Sequence, residues 1–336
     1  MIKRTCPSLS KLGIGPMSSE IIEAAFRCAQ RKRKALMLIP SKNQIDRDGG
    51  YVNNWTTREF MARIRSLRRK YKRARIYICR DHCGPGFSND DIRGVYKTFD
   101  SDIENGFDLI HVDFSKLKGR HVDILEESKK AITYIRKKNP KVLIEIGTDE
   151  NTGAFSDDLS RIKKEMEFFT EIAPIQYFVC QTGSLIKEFN QRGKLNIRFI
   201  KKVRKIADQY GFCLKEHNAD YLNKKEIKLR KGLLDALNVA PQYGVIQTQL
   251  TLEKCLLYGI DCNDFLHDSY NSKRWQKWLD CNKPSNKFLC AVIAGHYNFA
   301  KDSYKRIYAQ ISRHEDFKET IISEMIKNFE IYLDNL

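Results

Sequence analysis

Short apolar runs alternate with amphipathic stretches along the chain, with a repeat of roughly 30 to 40 residues. The runs predict eight strands, at residues 12–15, 35–39, 75–79, 109–113, 142–146, 176–180, 213–215 and 238–240. The stretches between them predict helices. SSEIIEAAFRCAQRKR offers Ser18 or Ser19 as N-cap with Glu20 in the first turn, and TTREFMARIRSLRRKY offers Thr56 with Glu59 three positions on. Strands that are apolar throughout and alternate with helices call for a parallel sheet covered on both faces, and eight such units call for closure. No G-x-G-x-x-G or G-x-x-x-x-G-K-[ST] phosphate loop occurs, which argues against an open nucleotide-binding sheet. The expected architecture is an α/β fold, a (β/α)8 TIM barrel over residues 1–260. A helical C-terminal extension, 261–336, packs on it through Trp275, Trp278 and Tyr304.

Composition fits this picture: 336 residues with 42% hydrophobic content can fill one large barrel. No apolar run approaches the roughly 18 residues of a membrane span, and the start, MIKRTCPSLSKLGIG, lacks the apolar stretch of a signal peptide. A cytoplasmic protein without a membrane partner is expected. The ten cysteines include no C-x-x-C, and several lie in strand-like runs such as IYIC and FVC, where Cys acts as a small buried hydrophobe. The net charge of +18 is carried mainly by helix-like stretches (31–34, 65–75, 224–231) without interleaved aromatics. That pattern reads as solvated helix faces and attraction for small anionic substrates, not as a nucleic-acid platform.

Chemistry enters through placement. Almost every predicted strand runs straight into polar residues: SKNQIDRDGGY after the second, RDHCGP after the third, HVD within the fourth, GTDENTG after the fifth, QTG after the sixth, EHNADY after the seventh. In a (β/α)8 barrel these positions converge on one mouth, the usual place of the active site. Asp81 and His82 set a proton-transfer carboxylate beside a metal-ligating imidazole, the pairing that metal-dependent aldol chemistry needs. His111 and Asp113, two apart on a strand, share a face. Asp113 reads as an acid/base or ligand, while His111 reads equally as a hydrogen-bonded interior residue. Asp149 shares parity with Glu145, and Glu150 does not; spacing leaves open which of the two terminal carboxylates, Asp149 or Glu150, reaches the site. His217, with Lys215 on the same face, completes a set of His82, one of the two fifth-strand carboxylates and His217 that suits Zn2+ or Mn2+.

The segments IGPMSSEIIEAAF, PSKNQIDRDGGY, RDHCGP, GFDLIHVDFS, IGTDENTG and EHNADY resemble, in order and position, those of the class II tagatose-bisphosphate aldolase non-catalytic subunit family, which includes metal-dependent ketose-phosphate 4-epimerases. The likeness covers residues 10–260, with a weaker echo at GHYNF (295–299). It implies a TIM barrel acting on a phosphorylated ketose by retro-aldol and aldol steps. It also leaves an alternative, a non-catalytic subunit that stabilises a separate aldolase; a homo-oligomer or a complex with an aldolase subunit is compatible with either.

Residue by residue, the resemblance implies Asp81, Asp113, Asp149 and Glu150 as the proton-transfer set and His82, His217 and Glu150 as metal ligands. Asn43, Gln44, His111, Gln181 and Asp220 match its substrate side. The chain departs from the family at Arg80 (Gly before Asp-His in the family), Lys42 (Ser before Asn-Gln), Asp149 (Glu after Gly-Thr) and Lys215 (Glu two before His). Lys42 and Arg80, read with Gln181 as holding phosphate or sugar hydroxyls, favour a more anionic substrate.

Overall fold

The structure is a computed structural model and describes residues 8–88, 90–149, 158–280 and 284–336. Eight parallel strands close into a barrel: β1 (Leu12–Ile14), β2 (Leu36–Leu38), β3 (Ile76–Cys83), β4 (Leu109–Asp113), β5 (Leu143–Gly147), β6 (Tyr177–Val179), β9 (Cys213–Glu216) and β10 (Ala236–Val239). β10 pairs with β1 to complete the ring. Between β6 and β9 a small antiparallel hairpin, β7 (Ile186–Lys187) with β8 (Asn190–Gln191), forms a separate sheet that no alternation in the sequence announces. The other difference from expectation is β3, which continues four residues beyond the apolar run, to Cys83. Its pairing with β4 jumps from Arg80↔Ile110 to Cys83↔Val112, so three residue steps on one strand match two on the other and a bulge forms.

Inward side chains stack in layers, as closed barrels require. Toward the N-terminal ends the layer is apolar: Met37, Cys79, Leu109, Tyr177, Cys213 and Ala236. Above it lie Glu145 and Lys215, both buried and ion-paired at 2.6 Å, with the ammonium also 5.0 Å from the Tyr177 ring centre. Burial opposes both charges, but each partner outweighs it: Glu145 is held down at about 2 and Lys215 stays above its usual value. Lys215 is therefore an ammonium, not an amine nucleophile. The β4–β5 register sets His111 beside Glu145 and Asp113 beside Gly147, which carries the polar groups up to the mouth.

The helix Ser19–Lys32 begins at Ser18, whose side chain accepts the Ile21 N–H; Thr56 and Glu59 form the capping box at the helix Thr57–Lys70. After β10, the helix Pro241–Tyr258 is followed by helices Asn263–Asn271, Lys287–Ala294, Asp302–Ile311 and Phe317–Asn335. The last of these lies along Ser19–Lys32, with ion pairs Arg27–Glu319 (2.6 Å) and Arg31–Glu330 (2.7 Å), and its Tyr332 hydroxyl donates to the Ala219 carbonyl at 2.8 Å. Trp275 and Trp278 pack around Leu279, Ile293 and Ala294. Of the eight cysteines described, seven are buried. Among the described residues no helix is long and apolar enough to cross a membrane.

Candidate active site

At the C-terminal ends of the strands the barrel opens into a cavity of about 670 Å³ whose floor is Asp81, His82, His111, Asp113 and His217. Neighbours on a strand ordinarily face opposite ways, yet Asp81 and His82 both line this cavity. The β3 bulge is the reason: His82 takes a left-handed conformation, φ 46°, which turns its ring inward beside Asp81. Two glycines make room. A side chain at Gly84 would overlap the carbonyl of Asp113, and one at Gly147 would come within 2.8 Å of His111 Nε2.

Two of the imidazoles are each held by a carboxylate. His82 Nδ1 lies 2.6 Å from Asp113 Oδ2, and Asp113 Oδ1 accepts the Ser115 hydroxyl at 2.6 Å. His217 Nε2 lies 2.8 Å from Glu145 Oε1. The remaining nitrogens, His82 Nε2 and His217 Nδ1, face each other at 3.2 Å. Burial pushes His217 below its usual value; burial also opposes the charged form of His82, but Asp81 and Asp113 outweigh it and lift His82 to about 9. Which ring donates across that gap depends on the tautomer. Burial would raise Asp81, but His82, His217 and His111 hold it well below the usual carboxylate range, and Asn238 Nδ2 donates to it at 3.3 Å.

The donor set fits a divalent ion. One ligand atom each from Asp81, His82, His111 and His217 lies within 4.8 Å of all the others. Two nitrogens on a tetrahedral ion at about 2.0–2.1 Å sit roughly 3.3 Å apart, close to the His82–His217 separation. Carboxylates on the far ring nitrogens are the usual partners of ligating histidines. His111 Nε2 is buried without a partner among the described residues, while its Nδ1 accepts the His82 N–H at 3.2 Å.

Several expected site residues have other duties. Arg80 is fully buried and pairs with Asp102 through two bonds of 2.7 and 2.6 Å; Nη1 donates to the carbonyls of Pro40 and Ile45, so its guanidinium points away from the cavity. The ammonium of Lys42 is bound to Asp90 at 2.6 Å. Asp149 lines the cavity but pairs with Arg161 at 2.7 Å. Glu150 lies outside the described residues. Asn43, Gln44 and Gln181 line the cavity; Asn43 donates to the Phe87 carbonyl, Gln44 accepts the Ser41 N–H, and Gln181 donates to the Asp149 carbonyl, leaving its own Oε1 buried without a partner among the described residues.

Asp220 is not on the cavity wall. Its Oδ1 accepts the N–H groups of Ala240 and Gln242 at the start of the helix Pro241–Tyr258, and Oδ2 is buried without a partner among the described residues. Burial pushes it up to about 7 despite those bonds. A folded value above the unfolded one means that the native state holds the proton more tightly, so this group's contribution falls as pH rises from about 4 to 7 and stays low beyond. Asp220→Asn is therefore expected to match the parent at pH 4 and to exceed it by a few kcal/mol at pH 8. Urea unfolding across that range tests this, and a pH-independent difference contradicts it.

The residues the sequence did not assign to the site are Glu145, Asn238, Ser115 and, from the tail, Lys273, Arg274 and Lys277. A charge at position 145 inside VLIEIG, sharing parity with Asp149, was the available signal for the first. GHYNF was the only pointer to the tail: His296 and Tyr297 line the cavity.

No family model and no curated protein matches the chain. Solved structures do. A protein from Sinorhizobium meliloti 1021, described as a probable tagatose 6 phosphate kinase, superposes with a TM-score of 0.78 at 15% identity, covering 97% of this chain and 100% of its own. The fructose-bisphosphate aldolase of Campylobacter jejuni gives 0.59 at 13% identity (96% and 90% covered), and the YdjI aldolase of Escherichia coli K12 gives 0.54 at 12% (90% of each). At these identities the likeness establishes architecture: the chain has the TIM-barrel fold, as the sequence resemblance implied.

Proposed function

We propose that this chain is a metal-dependent enzyme of aldol chemistry on a phosphorylated ketose, acting as a C4-epimerase. The observation that carries the reading is the cluster of three imidazoles and Asp81 at the barrel mouth, two of the imidazoles fixed by carboxylates. A divalent ion, Zn2+ or Mn2+, held by His82, His111 and His217 beside Asp81, would polarise the ketose carbonyl and stabilise the enediolate oxygens.

The chain's own groups do the rest. Asp81, ionised at neutral pH, takes the proton of the C4 hydroxyl as the C3–C4 bond breaks and returns it once the aldehyde has turned and the bond has re-formed. Asp113 and Glu145 hold the tautomers and ring planes of His82 and His217. Asn43, Gln44 and Gln181 sit on the wall where sugar hydroxyls would pass. The barrel, 1–260, and its extension, 261–336, work as one unit in the cytoplasm. A survey by NMR of fructose, tagatose, sorbose, xylulose and sedoheptulose phosphates, with and without added Zn2+ or Mn2+, tests the reading. A metal-dependent epimer or triose product is expected, and inertness toward all of them with metal bound contradicts it.

A further inference from the structure

Four cations gather at the open end of the cavity: Lys116 from the loop after β4, and Lys273, Arg274 and Lys277 from the tail. Among the described residues none of them is ion-paired with a carboxylate. Buried Glu23, by contrast, draws four cations to itself: Arg27, Arg63, Lys70 and Lys318. The mouth cations rest on aromatic faces instead. Lys116 Nζ lies 4.5 Å from the centre of the Phe87 ring, which stacks on His82; Arg274 lies 4.9 Å from Tyr297 and Lys277 4.5 Å from Trp278. A ring face fixes a cation in place and leaves its charge available.

A second observation points the same way. His296 is 1% exposed, lines the cavity, and has no partner for either ring nitrogen among the described residues. Burial, reinforced by Arg274 and Lys277, lowers it to about 3, so it is a neutral imidazole with an N–H to give. Like charges so arranged repel until an anion joins them.

We propose that the C-terminal extension supplies the phosphate-binding half of the active site, a terminal phosphate dianion sitting between Lys116, Arg274 and Lys277 with a hydrogen bond from His296. This rests on the function proposed above and refines it. The ketose lies with its reacting carbons over the His82–His217 pair and its phosphate outward, and the groups that select it come from the tail segment rather than from Lys42 or Arg80. Paired cations match a dianion better than a single carboxylate charge.

Isothermal titration of the full chain, stripped of metal by chelation, with inorganic phosphate as probe and glucuronate as the carboxylate control, tests the assignment. Saturable phosphate binding is expected, weakened roughly a hundredfold in the Lys116→Ala/Lys277→Ala double variant and roughly tenfold in Lys277→Gln alone, with glucuronate much weaker. Both lysines are exposed, so folding is not at stake. Zn2+ affinity, measured on the same variants, is expected to be unchanged. Absence of saturable phosphate binding, equal binding by the double variant, or glucuronate binding as tightly would overturn the assignment. Phosphate binding by a protein that takes up no metal would instead sink the metal-dependent reading and leave the anion site standing.

Discussion

Replacing His217 with alanine is expected to lower divalent-metal affinity by at least about a hundredfold and to bring turnover of a phosphorylated ketose below detection, while the barrel stays folded. The variant removes a nitrogen 3.2 Å from His82 Nε2 without stranding a charge, because Glu145 keeps its 2.6 Å ion pair with Lys215. His82→Ala should act alike, since Asp113 keeps its bond to Ser115. Competition with a chromophoric chelator measures the affinity, and circular dichroism with a thermal melt checks the fold. Unchanged affinity in both variants would remove the cluster from the account.

Arg80→Ala is expected to cost about 3–5 kcal/mol of stability, because it leaves Asp102 buried and unpaired. Burial already pushes Asp102 upward, and Arg80 is the opposing charge. Arg80→Lys should recover only part of the loss, since an ammonium cannot reproduce the two parallel bonds to Asp102 or the two to the carbonyls of Pro40 and Ile45. Urea unfolding measures the effect. Full stability combined with weakened phosphate binding would return Arg80 to the substrate side.

These two positions show what the sequence could and could not disclose. The barrel was legible because most strands are built on a short apolar run and helices such as Ser19–Lys32 and Thr57–Lys70 carry their caps, both of them local signals. The convergence of Asp81, His82, His111, Asp113 and His217 followed from strand-end placement alone. What escaped depends on distant partners. Arg80 read as a mouth cation because nothing near it in sequence announces Asp102, 22 residues on. The ammonium of Lys42 likewise meets Asp90, 48 residues on. Asp220 looked like a substrate contact, as its family position implies, but caps a helix that begins 21 residues later. The bulge that turns His82 inward leaves no trace in hydrophobic alternation, and the tail residues reach the mouth through a path that packing alone determines.

The most direct measurement of the central claim is the rate of ketose-phosphate conversion by chelator-stripped protein as Zn2+ or Mn2+ is returned in increments. The account predicts a rate near zero without metal that rises linearly and levels at one ion per chain. A rate unaffected by stripping, or a fully loaded protein that remains inert toward every ketose phosphate tested, would contradict it.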